Sequence, residues 1–214
     1  MKKIISGSIM PAAAFLLLIV QPVICFAGYV NESGFNNSVS TAQLLDPFFS
    51  YGVDPMIEID AAGNPADYSV SVMGLGFDNT YDYYSFSVGT GGNDLALNTW
   101  VVFDIDLAQV TGLDSFLTLY GTDGTTVLAS NNNSLFNGPG DFLPVTTNSF
   151  FSHAFDTAGL YYIQVGQNNG GSSAPISAFS SYRLNISSVP VPSSLFLMFF
   201  GVLGFLGFKR KTRV

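Results

Sequence analysis

Hydrophobic and polar residues alternate along the middle of the chain with the two-residue period of a half-buried β-strand. In one such segment Phe103 and Ile105 alternate with Asp104 and Asp106, and residues two apart share one face of a strand. Eight segments show either this alternation or a short apolar run bounded by turn residues. They are residues 69–75, 83–88, 101–107, 116–120, 127–130, 150–155, 161–165 and 182–186. The pattern predicts an all-β fold.

Turn residues separate the predicted strands. Asp123-Gly124 is a strong hairpin signal, and glycine-rich or asparagine-rich stretches lie between other segments. Short strands at this spacing predict an antiparallel β-sandwich. Residues 46–67 are interrupted by three prolines, so we expect a loop or an insertion there.

The N-terminus has the layout of a secretory signal peptide over residues 1–27. Lys2 and Lys3 precede a short apolar run, and Cys25-Phe26-Ala27 places small residues at the two positions that signal peptidase reads. We expect cleavage between Ala27 and Gly28. A retained membrane anchor is the alternative, although the apolar run is short for a span of about 20 residues. Cleavage would remove the only cysteine, so the mature chain could form no disulfide.

The C-terminus, residues 189–214, combines three features in order. A proline-rich motif, Pro190-Val191-Pro192, is followed by an uncharged apolar run over 195–208 and then by a basic cluster. From Val189 the apolar and neutral stretch has 20 residues, which as a helix would match one hydrocarbon thickness of about 30 Å. The basic cluster should stay on the cytoplasmic side. A single-span membrane anchor is the simplest interpretation.

This three-part order resembles the PEP-CTERM sorting signal of Gram-negative bacteria. Val191 stands where that family has a glutamate between the prolines. The resemblance implies that a transmembrane sorting helix holds the protein in the membrane until an exosortase recognises the tail and removes it. Two prolines favour an extended segment that a protease can bind.

The charge of the body between the two ends, residues 28–188, is strongly negative. All fifteen acidic residues lie there against one basic residue, Arg183, which gives a net charge of −14. Nucleic acid and anionic lipid would be repelled, because binding phosphate requires clustered Lys and Arg. We therefore expect no nucleic-acid partner.

Four segments of the body resemble the bacterial pre-peptidase C-terminal domain. They begin at Asn31 (NESGFNNS), Tyr81 (YDYYSF), Leu113 (LDSFLTLY) and Ala158 (AGLYYIQV), and they follow the order of that family along nearly the whole body. The resemblance implies a jelly-roll-like sandwich that serves as a non-catalytic accessory or binding module.

The same resemblance implies a calcium site between the first acidic segment and the Asp-aromatic strand. Calcium takes six to eight oxygen ligands from carboxylates, amides and carbonyls. Asn37, like Gly34, stands where acidic residues are common in that family, which should lower the affinity. The matching positions are Glu32, Asn36, Asn37, Asp78 and Asp82. A solvated acidic surface is the alternative.

Catalytic motifs are poorly represented. His153 is the only histidine and no G-x-S-x-G motif is present. Asp104 and Asp106 share a strand face and could serve a glycoside hydrolase as its carboxylate pair. Alternation with buried residues instead predicts that they face solvent. Trp100 falls on the same face and could stack on a sugar.

These observations predict an exported, non-enzymatic protein of the Gram-negative cell envelope, surface or extracellular (biofilm) matrix. We expect it to be held in the membrane by its C-terminal helix, processed by an exosortase, and able to bind extracellular polysaccharide or a surface protein. The alternatives are a polysaccharide-acting hydrolase using Asp104 and Asp106, and an accessory subunit of a secreted peptidase.

Overall fold

The computed structural model describes residues 28–51, 68–76, 78–106, 108, 112–133 and 148–189. The predicted signal peptide, most of the 46–67 stretch and the sorting tail from residue 190 onward lie outside these ranges, so the expectations for them stay predictions. Within the described ranges no helix is long and apolar enough to cross a membrane.

The described residues form eleven β-strands and two short 3-10 turns. The turns are Val39–Thr41 and Asp46–Phe48. The strands are β1 (Gly28–Asn31), β2 (Gln43–Leu44), β3 (Tyr68–Gly76), β4 (Asp82–Val88), β5 (Trp100–Asp106), β6 (Ser115–Tyr120), β7 (Val127–Asn131), β8 (Phe150–Ala154), β9 (Gly159–Asn169), β10 (Ser172–Ala174) and β11 (Ser180–Val189).

The strands form two sheets. The first has the order β1-β3-β11-β5-β8, and the second has the order β2-β4-β9-β6-β7 with β10 paired to β9. Most neighbours are antiparallel, as predicted, but β1 pairs with β3 and β2 pairs with β4 in parallel. The two short N-terminal strands thus each extend one sheet.

The core lies between the sheets and is filled by the inward positions of their strands. Val72, Phe103 and Leu184 from the first sheet meet Phe86 and Ile163 from the second, and all five are fully buried. The rings of Phe86 and Phe103 lie 5.6 Å apart across the interface. The predicted all-β class and two-sheet packing are confirmed, because strict alternation gives every long strand one apolar face that must be covered.

All eight predicted strands are present, while three strands escaped prediction. β1, β2 and β10 have only two to four residues, too few to show a period. Residues 168–173, one of the glycine- and asparagine-rich stretches expected to form exposed loops, instead make a hairpin in which Asn169 pairs with Ser172. Its two turn residues are Gly170 and Gly171, both with positive φ, as a tight hairpin turn requires.

Gly74 allows a tyrosine to cross the inner face of the first sheet. It lies opposite Tyr182 of β11, and a Cβ atom at Gly74 would lie only 2.0 Å from Cζ of that ring. Glycine inside a strand often marks such a close approach. Gly74 therefore leaves room for the Tyr182 side chain to reach the interior.

We predict that Gly74→Ala lowers the free energy of unfolding by about 1–3 kcal/mol, the usual range for overpacking. The alanine methyl group must displace the Tyr182 ring, which is fully buried. Gly121→Ala is the matched control, since a Cβ there meets no atom closer than 3.7 Å. Denaturant unfolding checks both variants, and equal effects would contradict this role of Gly74.

Candidate functional site

A chain of hydrogen-bonded polar groups lies inside one end of the sandwich. The Tyr182 hydroxyl of β11 donates to Oδ2 of Asp82 at 2.6 Å, and the hydroxyls of Tyr182 and Tyr84 lie 2.7 Å apart. Because the Tyr182 hydrogen is used on Asp82, Tyr84 is the donor to Tyr182. Asp82 and Tyr84 belong to β4 of the second sheet, so the chain joins the two sheets through the core.

Glu32 brings a second carboxyl group to this chain. Its backbone N–H donates to Met73 O at 2.9 Å, which continues the pairing of β1 with β3. Its Oε2 accepts the backbone N–H of Leu75 at 2.7 Å. The Glu32 and Asp82 carboxyl groups lie near enough that each affects the pKa of the other. We call these two residues the carboxyl pair.

Burial changes the protonation of the carboxyl pair. Desolvation, followed by the neighbouring Glu32 charge, raises the pKa of Asp82 from 3.8 to about 8. Desolvation also raises the pKa of Glu32. Two adjacent carboxyls cannot both ionise cheaply at a buried site. The pair therefore shares one proton near neutral pH.

The other three residues of the predicted calcium site lie at different distances from the pair. Asn36 is buried beside the Tyr84 hydroxyl, and its Nδ2 makes no hydrogen bond of normal geometry. Asp78 is exposed and accepts from Thr80 at 2.7 Å, although its charge reaches both carboxyls of the pair. Asn37 is exposed. Among the described residues no three acidic, histidine or cysteine side chains form a group that could hold a metal ion.

A cleft of about 490 Å³ opens beside the carboxyl pair. Glu32 and Asp78 contribute the acidic part of its wall, and Phe35, Met73 and Leu75 contribute apolar surface. Phe35 is 85% exposed at the rim. The cleft gives solvent, ions or small ligands a route to Glu32.

The outer face of the second sheet carries a group of four tyrosines, which we call the tyrosine face: Tyr81, Tyr83, Tyr120 and Tyr162. All four are half-buried. The rings of Tyr83 and Tyr120 stack at 6.3 Å and 28°, and Tyr81 meets Tyr83 edge-on at 6.4 Å. Tyr162 lies opposite Tyr120 in the pairing of β9 with β6.

Polar side chains lie between these rings. Gln164 of the central strand β9 donates to the Tyr83 hydroxyl at 2.5 Å, and Thr118 is its register neighbour on β6. Tyr81 donates to Ser173 O of β10 at 3.1 Å. Burial, with the nearby Tyr83, raises the pKa of Tyr120, so that hydroxyl stays protonated. The tyrosine face is therefore aromatic, hydroxylated and uncharged at its centre.

The expectation that Asp104 and Asp106 face solvent is wrong. They do lie on the outer face of the first sheet, but they are only 2% and 0% exposed. Asn185 donates to Oδ2 of Asp106 at 2.7 Å, and Arg183 donates to Asn185 at 3.2 Å. Alternation specifies which face a side chain takes, but it does not specify whether that face is covered. The two aspartates belong to a buried polar layer.

His153 lies within the predicted strand segment 150–155, and Trp100 takes the outer face that alternation predicted. His153 lies in β8 and packs edge-on against Phe155 at 4.8 Å. No described residue hydrogen-bonds to its ring, and burial lowers the pKa of His153. Trp100 begins β5 and is 56% exposed on the outer side of the first sheet. Among the described residues, no serine hydroxyl or cysteine thiol is hydrogen-bonded to His153 as a catalytic nucleophile would be.

The fold and these sites define a small, acidic β-sandwich with a buried carboxyl pair at one end and a tyrosine face on one sheet. Comparison with known families identifies a sorting signal at the C-terminus: residues 188–211 match the PEP-CTERM protein-sorting motif. The motif marks an exported protein that is anchored at the envelope and processed by an exosortase, as predicted. No curated protein matches the chain. The pre-peptidase resemblance of the body stays a prediction.

The carboxyl pair predicts a specific pH dependence of stability. Asp82 titrates near 4 in the unfolded chain and at about 8 in the folded protein. A group whose pKa is higher in the folded protein stabilises the fold fully at pH values below its unfolded pKa. This contribution is lost as pH rises through the folded pKa. Without divalent ions, the free energy of unfolding should fall between about pH 4 and pH 8.

Denaturant unfolding across this pH range in chelator is the measurement. Asp82→Asn keeps an acceptor for Tyr182 but cannot titrate, so it should flatten the profile. Gly121→Ala, which changes no ionisable group, should leave the slope of the profile unchanged. A parent protein that becomes more stable toward pH 8 would contradict the shared proton.

Proposed function

We propose that the body is a non-enzymatic binding module of an exported surface or matrix protein, and that it binds neutral polysaccharide on the tyrosine face. The observation that carries the proposal is four adjacent half-buried tyrosines on the outer face of the second sheet, with the buried side chains of Gln164 and Thr118 beside them. Tyrosine offers an apolar ring and a polar hydroxyl together, which matches the alternating C–H and O–H surfaces of a sugar.

Charge supports a neutral ligand. Among the described residues, the centre of the tyrosine face has no ionisable group other than tyrosine hydroxyls, while residues 28–188 carry a net charge of −14. An anionic polysaccharide would be repelled by the acidic surroundings, and a neutral one would not. Polysaccharide also suits the envelope location that the sorting motif indicates.

The shape of the face supports an extended ligand. The 3-10 turn Val39–Thr41 flanks it on one side, since the Cβ position of Gly124 is within 2.6 Å of Val39 and 3.6 Å of Tyr162. β10 flanks the other side through the Tyr81–Ser173 hydrogen bond. Between them, aromatic rings extend across three strands.

A hydrolase acting through Asp104 and Asp106 is less well supported. Glycoside hydrolysis requires two carboxyls that reach either side of a bound substrate, and these two are buried in the layer with Arg183 and Asn185. The role of accessory subunit of a secreted peptidase remains the other alternative, and a protein ligand on the tyrosine face would favour it.

Binding to insoluble neutral glucan, with alginate as the anionic comparison, tests the proposal. We predict that Tyr83→Ala and Tyr120→Ala each weaken glucan binding about tenfold, equivalent to about 1.4 kcal/mol. Tyr29→Ala is the matched control, because Tyr29 is 53% exposed on the other sheet. Thermal unfolding confirms that each variant is folded.

Three results would contradict this function. Glucan binding that survives both tyrosine variants would place the site elsewhere. Preference for a protein ligand would favour the accessory-subunit alternative. Release of soluble sugar that is lost in Asp104→Asn would favour the hydrolase.

We also propose that calcium replaces the shared proton at the carboxyl pair. Glu32 supplies a carboxyl in the wall of the cleft, and Asp82 supplies a neighbouring buried carboxyl. Asn36 supplies a buried amide whose oxygen and nitrogen can exchange places by a flip of the side chain. Asp78 would have to turn from Thr80 to contribute a third carboxylate. Bound calcium would tie the N-terminal segment to both sheets.

The predicted effect is a higher melting temperature with calcium than with chelator, by an amount equivalent to about 2.7 kcal/mol at a hundredfold excess over the dissociation constant. Magnesium at the same ionic strength controls for screening. Asp82→Ala should abolish the difference. Equal responses to calcium and magnesium, or an unchanged response in the variant, would reject the site.

A further inference from the structure

The last described strand carries the chain toward the sorting tail beside the only tryptophan of the protein. β11 ends at Val189, which pairs with Trp100 of β5. The preceding residue, Ser188, pairs with Tyr68 of β3 on the other side, and its hydroxyl donates to Tyr68 O at 3.2 Å. Trp100 and Tyr68 therefore flank the point where the tail begins.

Aromatic side chains are exposed at this end of the sandwich. Trp100 is 56% exposed and Tyr51 is 69% exposed. Tyr51 packs on Tyr68 with ring centroids 4.7 Å apart. We call Tyr51, Tyr68 and Trp100 the aromatic end. Trp and Tyr are the residues that concentrate at the boundary between a bilayer and water.

The sequence keeps the aromatic end close to the membrane. Only residues 190–194 separate Val189 from the apolar run that begins at Leu195. Five residues span at most about 18 Å when fully extended. The ten residues of β11 span about 30 Å, so the spacer is shorter than the sandwich. While the tail is in the bilayer, this end cannot move far from the surface.

The N-terminal strand begins at the same end. Gly28 pairs with Val70, which pairs with Ile186 of β11, three residues before Val189. That separation along the sheet is about 10 Å. Before signal cleavage, both predicted membrane segments would therefore leave the body from the aromatic end.

We propose that Tyr51, Tyr68 and Trp100 form a membrane-contacting surface, on which the body rests against the lipid headgroup region while the sorting tail is in place. The inference rests on the membrane-held stage of the proposed function and is independent of polysaccharide binding. The attraction comes from the aromatic rings, because a body with a net charge of −14 gains nothing from anionic lipid. Removal of the tail would release this contact.

The single tryptophan gives a direct test. The chain with its tail is inserted into phosphatidylcholine vesicles, with and without bromine on the upper acyl carbons, and insertion is confirmed by flotation. We expect brominated lipid to lower the Trp100 emission about twofold, as for a side chain at the interface. Replacing part of the phosphatidylcholine by phosphatidylglycerol should weaken the quenching.

The matched control moves the tryptophan to the opposite end. The double variant Trp100→Tyr, Phe179→Trp places it just before β11, at a position that is 85% exposed and about 30 Å from Val189. Its emission should be insensitive to brominated lipid. The same protein should still bind glucan, which separates this inference from the polysaccharide proposal.

Several results would overturn the membrane contact. Equal quenching in the parent and the double variant would mean that the body has no fixed orientation on the bilayer. A blue-shifted Trp100 emission without quenching would mean that a second protein copy covers this end. Absence of flotation with the vesicles would show that the tail does not hold this end at a membrane.

Discussion

The hydrogen-bonded chain from Tyr84 through Tyr182 to Asp82 is the interaction on which the acidic end of the sandwich depends. It joins the two sheets through the core, and it ends at a carboxyl that burial keeps protonated near neutral pH. An unpaired charge at this position would be costly. Glu32 meets that carboxyl and bonds to Leu75 of β3, so the N-terminal segment is attached to both sheets through one pair of side chains.

The strand directions divide the molecule into surfaces with different chemistry. The carboxyl pair and its cleft lie at one end, and the exit toward the sorting tail lies at the other. The tyrosine face lies along the outer side of the second sheet between these ends. A body held at the membrane by the aromatic end would therefore leave both the tyrosine face and the acidic cleft open to an extracellular ligand.

Much of the fold and part of the site could be predicted from the sequence. The two-residue period of segments such as 101–107 specifies which side chains face the core, since alternate residues point to opposite faces. The order of proline motif, apolar run and basic cluster predicted the sorting motif that spans 188–211. Glu32, Asn36 and Asp82 were predicted to lie near one another, and the structure brings them to one end of the sandwich. The short strands β1, β2 and β10 have too few residues for a period.

The sequence by itself determined the class of fold, the C-terminal sorting motif and the sign of the charge, because these depend on local pattern and composition. Only the tertiary structure decided which polar residues are buried. Asp104 and Asp106 alternate with core residues as exposed residues would, yet they lie in a covered layer with Asn185. The tyrosine face was likewise assembled by strand pairing, since Tyr83 and Tyr120 are far apart in the sequence but stack on one face of the second sheet. Burial and pairing depend on residues far apart in the chain, and local alternation carries no information about them.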